Sequence, residues 1–128
     1  MEIDTTGLEL EPGRVDIALK NNPNLNVMVG DITNEEIVEK IGKSFDLILM
    51  TNFLFQCEDK KAVLEEAKKI LKPGGRILIV DWEKDNPATK EIEKLSFGEI
   101  EVIANELSFK LEKEFEAGKF HRALIFIK

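Results

Sequence analysis

Short apolar runs alternate with amphipathic helical patterns along most of this 128-residue chain. A strand, then a helix, then another strand is the pattern of a parallel sheet with helices on its faces. The sequence therefore predicts an α/β fold, and its length fits a single domain over residues 1–128 with one hydrophobic core. The predicted strands cover residues 5–10, 25–29, 45–50 and 76–80.

Helix start and stop signals lie between these runs. Pro12 suits the first turn of a helix that stops at residues 21–23. Residues 59–71 place aliphatic side chains on one stripe, and the Lys-Pro-Gly-Gly of residues 72–75 is predicted to end that helix in a turn. Capping boxes are predicted at residues 33–36 and 96–99, and a further short helix at residues 86–87.

Two strand patterns indicate the middle and the end of the sheet. Residues 45–50 form a continuous apolar run, which is typical of a strand buried on both faces at the sheet centre. Near the end of the chain, residues 109–115 alternate apolar with charged side chains, Ala117 and Gly118 turn, and residues 120–127 return as an apolar strand. This change of period predicts an antiparallel hairpin.

Charge and composition exclude several classes of function. Eighteen basic residues against twenty-five acidic ones give a net charge of −7, and the lysines are interleaved with glutamates, so we expect no nucleic-acid partner. A single cysteine and a single histidine leave no disulfide and no Cys or His cluster for a metal. The start of the chain lacks a signal-peptide pattern, and no segment approaches the ~20 apolar residues of a membrane span. We therefore expect a cytoplasmic protein with no membrane partner.

A more specific signal comes from four segments together with the final hairpin. The segments are Gly7-Leu8-Glu9, Val29-Gly30-Asp31, residues 45–54 and residues 71–80. In order and spacing they resemble class I S-adenosylmethionine-dependent methyltransferases, most closely the small-molecule group that includes the ubiquinone and menaquinone biosynthesis enzymes. The resemblance covers residues 5–128 and implies a Rossmann-like methyltransferase sheet, mostly parallel with a C-terminal antiparallel hairpin. It also implies an enzyme that transfers a methyl group from S-adenosyl-L-methionine to a small-molecule acceptor.

The chain departs from this family at one point. Family members begin with a strand and a glycine-rich turn that approaches the methionyl part of the cofactor, whereas this first strand and helix are missing here and no Gly-X-Gly occurs. In the family that strand lies at the sheet centre, and each unpaired buried amide costs roughly 1–3 kcal/mol. Three outcomes are open: another chain supplies the strand, the flanking strands pair directly, or the sequence is a truncated piece. A second hypothesis is therefore a non-catalytic or split methyltransferase-like module that pairs with another chain or a second copy.

The resemblance places cofactor-binding residues at the ends of the first two strands. Glu9 is predicted to accept hydrogen bonds from the ribose hydroxyls, with a solvated surface glutamate as the alternative. Asp31 is predicted to accept from the adenine amine, with helix capping as the alternative, and Ile32 to pack on the adenine face. The capping box at residues 33–36 makes the capping alternative less necessary for Asp31.

The methyl donor and the acceptor are predicted to meet after the third strand, because open α/β sheets bind ligands at the carboxyl ends of their strands. Many small-molecule family members have histidines at the position of Phe55-Gln56, so no histidine base is expected there and catalysis rests on proximity and orientation. His121 is predicted to be a surface or edge residue without function, and Asp81 with Trp82 to line the acceptor pocket or pack at the sheet rim. The resemblance assigns Thr51 and Asn52 to the cofactor, and Phe53, Phe55, Gln56 and Trp82 to the acceptor.

Overall fold

The structure is a computed structural model that describes residues 5–9, 12–21, 26–83 and 94–128. The chain divides into two compact units, Met1–Gly42 and Lys43–Lys128. Unit 1 contains β1 (Thr6–Glu9), α1 (Pro12–Asn21), β2 (Asn26–Val29) and α2 (Glu35–Ile41). Unit 2 contains β3 (Phe45–Thr51), a 3₁₀ turn (Leu54–Gln56), α3 (Lys60–Lys69), β4 (Leu71–Trp82), α4 (Phe97–Glu106), β5 (Lys110–Glu116) and β6 (His121–Ile127).

Unit 1 is built on two parallel strands. β1 and β2 pair in register from Thr6 opposite Asn26 to Glu9 opposite Val29, so both strands end at the same edge. Helix α1 begins at Pro12, as predicted from the fixed φ angle of proline. Parallel pairing requires a crossover between the strands, and α1 supplies it.

The predicted capping box at residues 33–36 is wrong by one residue. Asn34 is the N-cap of α2, and its side-chain oxygen accepts from the amide of Glu36 at 3.0 Å. The hydroxyl of Thr33 instead donates to Oδ1 of Asp31 at 2.7 Å. The reason is local, because Asp31 engages Thr33 in the preceding turn and leaves Asn34 to satisfy the first helical amides.

Gly30 allows α2 to pack closely against the end of β2. A Cβ atom at this position would lie 2.8–2.9 Å from three side-chain carbons of Ile37, closer than van der Waals contact allows. We expect Gly30→Ala to destabilise unit 1 by about 1–2 kcal/mol through overpacking. Hydrogen exchange of the β1 and β2 amides should then quicken about tenfold.

The matched control for this substitution is Gly13→Ala in the first turn of α1. Apart from its chain neighbours and the backbone of its own helix, no heavy atom of the described residues lies within 4 Å of a Cβ built there. That change should leave exchange in β1 and β2 unaltered or slightly slower, because alanine reduces the freedom of the unfolded chain. Equal exchange rates in the two variants would contradict the packing role of Gly30.

Unit 2 is a four-stranded mixed sheet in the order β3-β4-β6-β5. β3 and β4 are parallel, whereas β6 is antiparallel to both β4 and β5. The predicted α/β class and the C-terminal antiparallel hairpin are confirmed. Because β6, the second strand of the hairpin, lies beside β4, the start of β6 meets the carboxyl end of β4.

The core of unit 2 lies on one face of this sheet. Alternate residues of β4 on that face are completely buried, as the period of a strand requires. Helix α4 begins at Ser96, whose hydroxyl caps the amide of Glu99 as predicted. The buried side chains that form this core include Ile77 and Ile79 of β4, Val63, Leu64 and Ala67 of α3, and Ile100 and Ala104 of α4.

Two predictions for unit 2 are wrong. β3 is the outermost of the described strands of its sheet rather than a central strand buried on both faces, and Leu47 and Leu49 are 55% and 60% exposed. Residues 72–75 do not form a separate turn but belong to β4, where the pairing moves from Phe45–Leu71 to Leu47–Arg76. This bulge follows from the glycines, since Gly74 has a φ of 77°.

The helix predicted at residues 86–87 lies outside the described residues. Among the helices of the described ranges, none is long and apolar enough to cross a membrane.

Candidate functional site

The carboxyl ends of β1 and β2 bring Glu9 and the Gly30-Asp31 turn to one edge of unit 1. Glu9 is the last residue of β1 and is half-buried. Its carbonyl oxygen accepts from the amide of Gly30 at 3.0 Å. The two residues assigned from sequence to the nucleoside, Glu9 and Asp31, are therefore on adjacent strand ends.

Asp31 shapes the turn that leads into α2. Its Oδ1 accepts from both the amide and the hydroxyl of Thr33, at 2.9 and 2.7 Å, and its carbonyl accepts from the amide of Asn34 at 3.0 Å. Asp31 therefore shapes the turn before α2, whereas the helix-capping role that was its alternative interpretation belongs to Asn34. Its second carboxylate oxygen makes no hydrogen bond within the described ranges, and Ile32 beside it is half-buried. The adenine-binding roles of both residues stay predictions.

Asn52 follows β3 in an unusual backbone conformation. Its φ is 52°, in the left-handed region that few residues other than glycine adopt, although asparagine tolerates it best. The amide of Asn52 donates to the carbonyl of Val80 at 2.8 Å, which extends the β3–β4 ladder by one bond. Its side-chain oxygen accepts from Nε2 of His121 at 2.8 Å.

His121 joins this strand end from the far end of the chain. It is paired in register with Trp82 across β4 and β6, and the two rings lie 4.0 Å apart between centroids with a 37° tilt. The imidazole is half-buried and contacts Asn52 on one side and Trp82 on another. The sequence interpretation placed His121 at a surface or edge without function, and missed that the return strand of the hairpin begins where β4 ends.

Asp81 supports this strand end from within the core. Its side chain is completely buried, and its two oxygens accept from the amides of Trp82 at 2.8 Å and Phe55 at 3.2 Å. Burial raises the pKa of the Asp81 carboxyl, while the backbone hydrogen bonds and the nearby His121 oppose that rise. The carboxylate thus fastens the 3₁₀ turn of residues 54–56 to the end of β4.

The remaining residues predicted to bind the cofactor, Thr51, or the acceptor, Phe53, Phe55 and Gln56, lie in or beside that turn. Phe53 and Phe55 are half-buried, whereas Thr51 and Gln56 are exposed. Only the backbone of Phe55 is tied directly to Asp81. Their roles toward cofactor and acceptor stay predictions. Within the described ranges there is no group of three or more histidine, cysteine or acidic side chains placed to hold a metal ion.

Comparison with known proteins decides the family. A family model described as a methyltransferase domain matches residues 2–79, which is more than half of the chain. The chain belongs to this methyltransferase domain family. The match begins before β1 and ends within β4, so it includes the strand ends that carry Glu9, Asp31 and Asn52.

Two relatives of this methyltransferase domain are similar over part of their length. Demethylmenaquinone methyltransferase of Staphylococcus haemolyticus is 26% identical over 117 residues, which are 88% of this chain and 48% of that protein. Phosphoethanolamine N-methyltransferase 3 of Arabidopsis thaliana is 29% identical over 85 residues, 63% of this chain and 17% of that protein. The chain therefore spans about half of the first relative and about a sixth of the second.

A solved structure shows the same fold. The S-adenosylmethionine-dependent methyltransferase from Aquifex aeolicus matches with a TM-score of 0.78 and 20% identity, over 95% of this chain and 67% of that one. At this level of identity the likeness establishes the Rossmann-like methyltransferase fold.

Proposed function

We propose that this chain transfers the methyl group of S-adenosylmethionine to a small-molecule acceptor. The observation that carries the proposal is the group formed by Asn52, Trp82 and His121, held at the carboxyl ends of β3 and β4 in a chain of the methyltransferase family. Open α/β sheets bind their ligands at such strand ends. The two relatives are named for demethylmenaquinone and phosphoethanolamine, which supports a small acceptor and, for the first, the quinone-biosynthesis group.

The residues of unit 1 fit the nucleoside half of the cofactor. Glu9 and Asp31 present carboxylates at adjacent strand ends, which suits hydroxyl and amine donors, and half-buried Ile32 offers an apolar surface to a base. The methionyl half normally lies on a glycine-rich turn, and the 128 residues contain no Gly-X-Gly. In this proposal Glu9, Asp31 and Ile32 bind the nucleoside, and Thr51 and Asn52 are the other residues of this chain assigned to the cofactor.

Methyl transfer of this kind needs no covalent bond between the protein and the methyl group. When bound, S-adenosylmethionine supplies an electrophilic methyl group on a positively charged sulfur. The residues of unit 2 can orient an acceptor at the ends of β3 and β4, and proximity and orientation are the main source of rate in an in-line transfer. Asn52 and Trp82 can do this because the hydrogen bond to Val80 and the sheet register hold them in place.

The test is calorimetric titration of the chain with S-adenosylhomocysteine. We expect binding by the wild type and about tenfold to hundredfold weaker binding by Glu9→Gln, since hydrogen bonds to a charged acceptor contribute about 1.5–3 kcal/mol. Glu39→Gln is the matched control, because Glu39 is an exposed glutamate of α2 in the same unit. No binding at millimolar ligand, or an equal loss in both variants, would contradict the proposal for this polypeptide.

A second candidate function is a split module that completes its sheet with another polypeptide segment. The described strands form two separate sheets, and β3 ends one of them with exposed Leu47 and Leu49. An apolar edge strand is a pairing surface for a further strand. Native mass measurement beside the titration separates the candidates: a monomer that binds ligand supports the enzyme, and binding only by an assembly supports the split module.

A further inference from the structure

We infer that His121 is the proton acceptor of the methyl-acceptor site, and that Asn52 positions it by fixing which ring nitrogen carries the hydrogen. The inference rests on the proposed methyl transfer and deepens it by naming the acceptor class: a small molecule with a hydroxyl group as its nucleophile. Neither the family match nor the relatives assign a role to this histidine.

The hydrogen bond between the two side chains determines the tautomer. The oxygen of the Asn52 carboxamide can only accept, so Nε2 of His121, 2.8 Å away, carries the hydrogen. In the neutral ring the lone pair then resides on Nδ1. Across the described ranges Nδ1 has no hydrogen-bond partner, so it is the nitrogen that can take a proton from a ligand.

The imidazole is held on two sides. Asn52 keeps its left-handed backbone because its amide is bonded to Val80, and such strained positions concentrate at functional sites. Trp82 contacts the ring of His121 from the neighbouring strand at 4.0 Å. A base fixed in this way needs no rearrangement before it accepts a proton, which general base catalysis requires.

The charged groups around His121 are consistent with this role. β3 presents the neutral Asn52, and β4 presents Asp81, whose carboxylate interacts electrostatically with the histidine. The next residue, Arg122, is the register partner of Asp81 and pairs with Glu83, which follows β4, and with Glu114 of β5. Asp81 is an acidic group near His121, and its carboxylate would stabilise an imidazolium there.

The step balances as a substitution with proton transfer. A lone pair of the acceptor oxygen forms the new bond to the methyl carbon while the carbon–sulfur bond breaks, and its electron pair stays on sulfur. The hydroxyl proton moves to Nδ1 of His121, which becomes an imidazolium and later releases the proton to water. The products are a methyl ether and S-adenosylhomocysteine. An acceptor without a proton on its nucleophilic atom does not need this base.

The first test determines the tautomer of His121 by nuclear magnetic resonance and does not depend on enzymatic activity. The chain has one histidine, so nitrogen-15 labelling of histidine gives one set of ring signals. We expect the hydrogen on Nε2 with a slowly exchanging proton signal, loss of that signal in Asn52→Ala, and its retention in Asn52→Asp, whose carboxylate still accepts. A hydrogen on Nδ1, or an unchanged signal in Asn52→Ala, overturns the inference.

The second test compares two acceptors in the cofactor-loaded chain. His121→Gln keeps a donor toward Asn52 but has no titratable base. We expect it to slow methylation of catechol about 100-fold, while methylation of iodide, which carries no proton, keeps its rate. Equal rates for wild type and variant with catechol, or equal losses with both acceptors, overturn the base role. Absence of both transfers in the wild type counts instead against the proposed function, and the tautomer result then decides the inference alone.

Discussion

Asp81→Ala should lower the free energy of unfolding of unit 2 by about 2–5 kcal/mol. The carboxylate is completely buried and accepts from the amides of Phe55 and Trp82. Removal leaves both amides without an acceptor, and each unsatisfied buried donor costs roughly 1–3 kcal/mol. Denaturant unfolding followed by fluorescence measures the loss, because the single tryptophan of the chain lies in unit 2.

Two controls separate hydrogen bonding from the loss of an acidic residue. Asp46 lies in the same sheet with its side chain 87% exposed, so Asp46→Ala should change stability by less than about 0.5 kcal/mol. Asp81→Asn keeps one carbonyl oxygen and should fall between the wild type and Asp81→Ala. A loss below 1 kcal/mol for Asp81→Ala would show that Asp81 does not fasten the 3₁₀ turn.

The difference in stability between the wild type and Asp81→Asn should change with pH in a definite direction. Burial, the largest cause, raises the pKa of Asp81 above its ordinary value in the folded state, so the folded protein binds this proton more tightly than the unfolded chain. The contribution of Asp81 to stability is complete below its unfolded pKa and is lost as the pH rises through the folded pKa. Between about pH 3 and pH 7, the stability of Asp81→Asn relative to wild type should therefore improve, and a constant difference would contradict the raised pKa.

Ile79→Ala should lower the free energy of unfolding of unit 2 by about 3–4 kcal/mol. Ile79 is completely buried at the centre of β4, with Met50 on β3 and Leu124 on β6 as its buried cross-strand neighbours. The change removes buried methylene and methyl groups and leaves a cavity that a sheet bonded on both sides cannot close. Tryptophan fluorescence in denaturant again measures the midpoint.

Matched substitutions test whether depth in the core causes this loss. Ile79→Val should cost only about 1 kcal/mol, since it removes a single methyl group. Leu49→Ala removes more atoms but from a side chain that is 60% exposed on the outermost strand, and should cost well under 1 kcal/mol. Similar losses for Leu49→Ala and Ile79→Ala would mean that the open face of β3 is covered in solution, as the split module requires.

Capping and turn signals in the sequence predicted most of the helices and strands. Where these predictions were wrong, the cause was either a competing neighbour in the sequence or the packing of the sheet. Pro12 at the start of α1 and Ser96 at the start of α4 were correct because such signals act within one helical turn. The N-cap of α2 was one residue off because two residues capable of capping, Thr33 and Asn34, are adjacent, and the bond from Thr33 to Asp31 decided between them.

The sequence by itself determined the α/β class, the C-terminal hairpin, the family resemblance and the positions of Glu9 and Asp31 at strand ends, because periodicity and turn residues are properties of neighbours along the chain. Only the tertiary structure decided that β3 is an edge strand, that Asp81 holds the 3₁₀ turn, and that His121 bonds to Asn52. The hydrogen bond between Phe55 and Asp81 joins residues 26 positions apart, and the one between Asn52 and His121 joins residues 69 positions apart. Which strands become neighbours depends on the packing of the whole sheet rather than on any short segment.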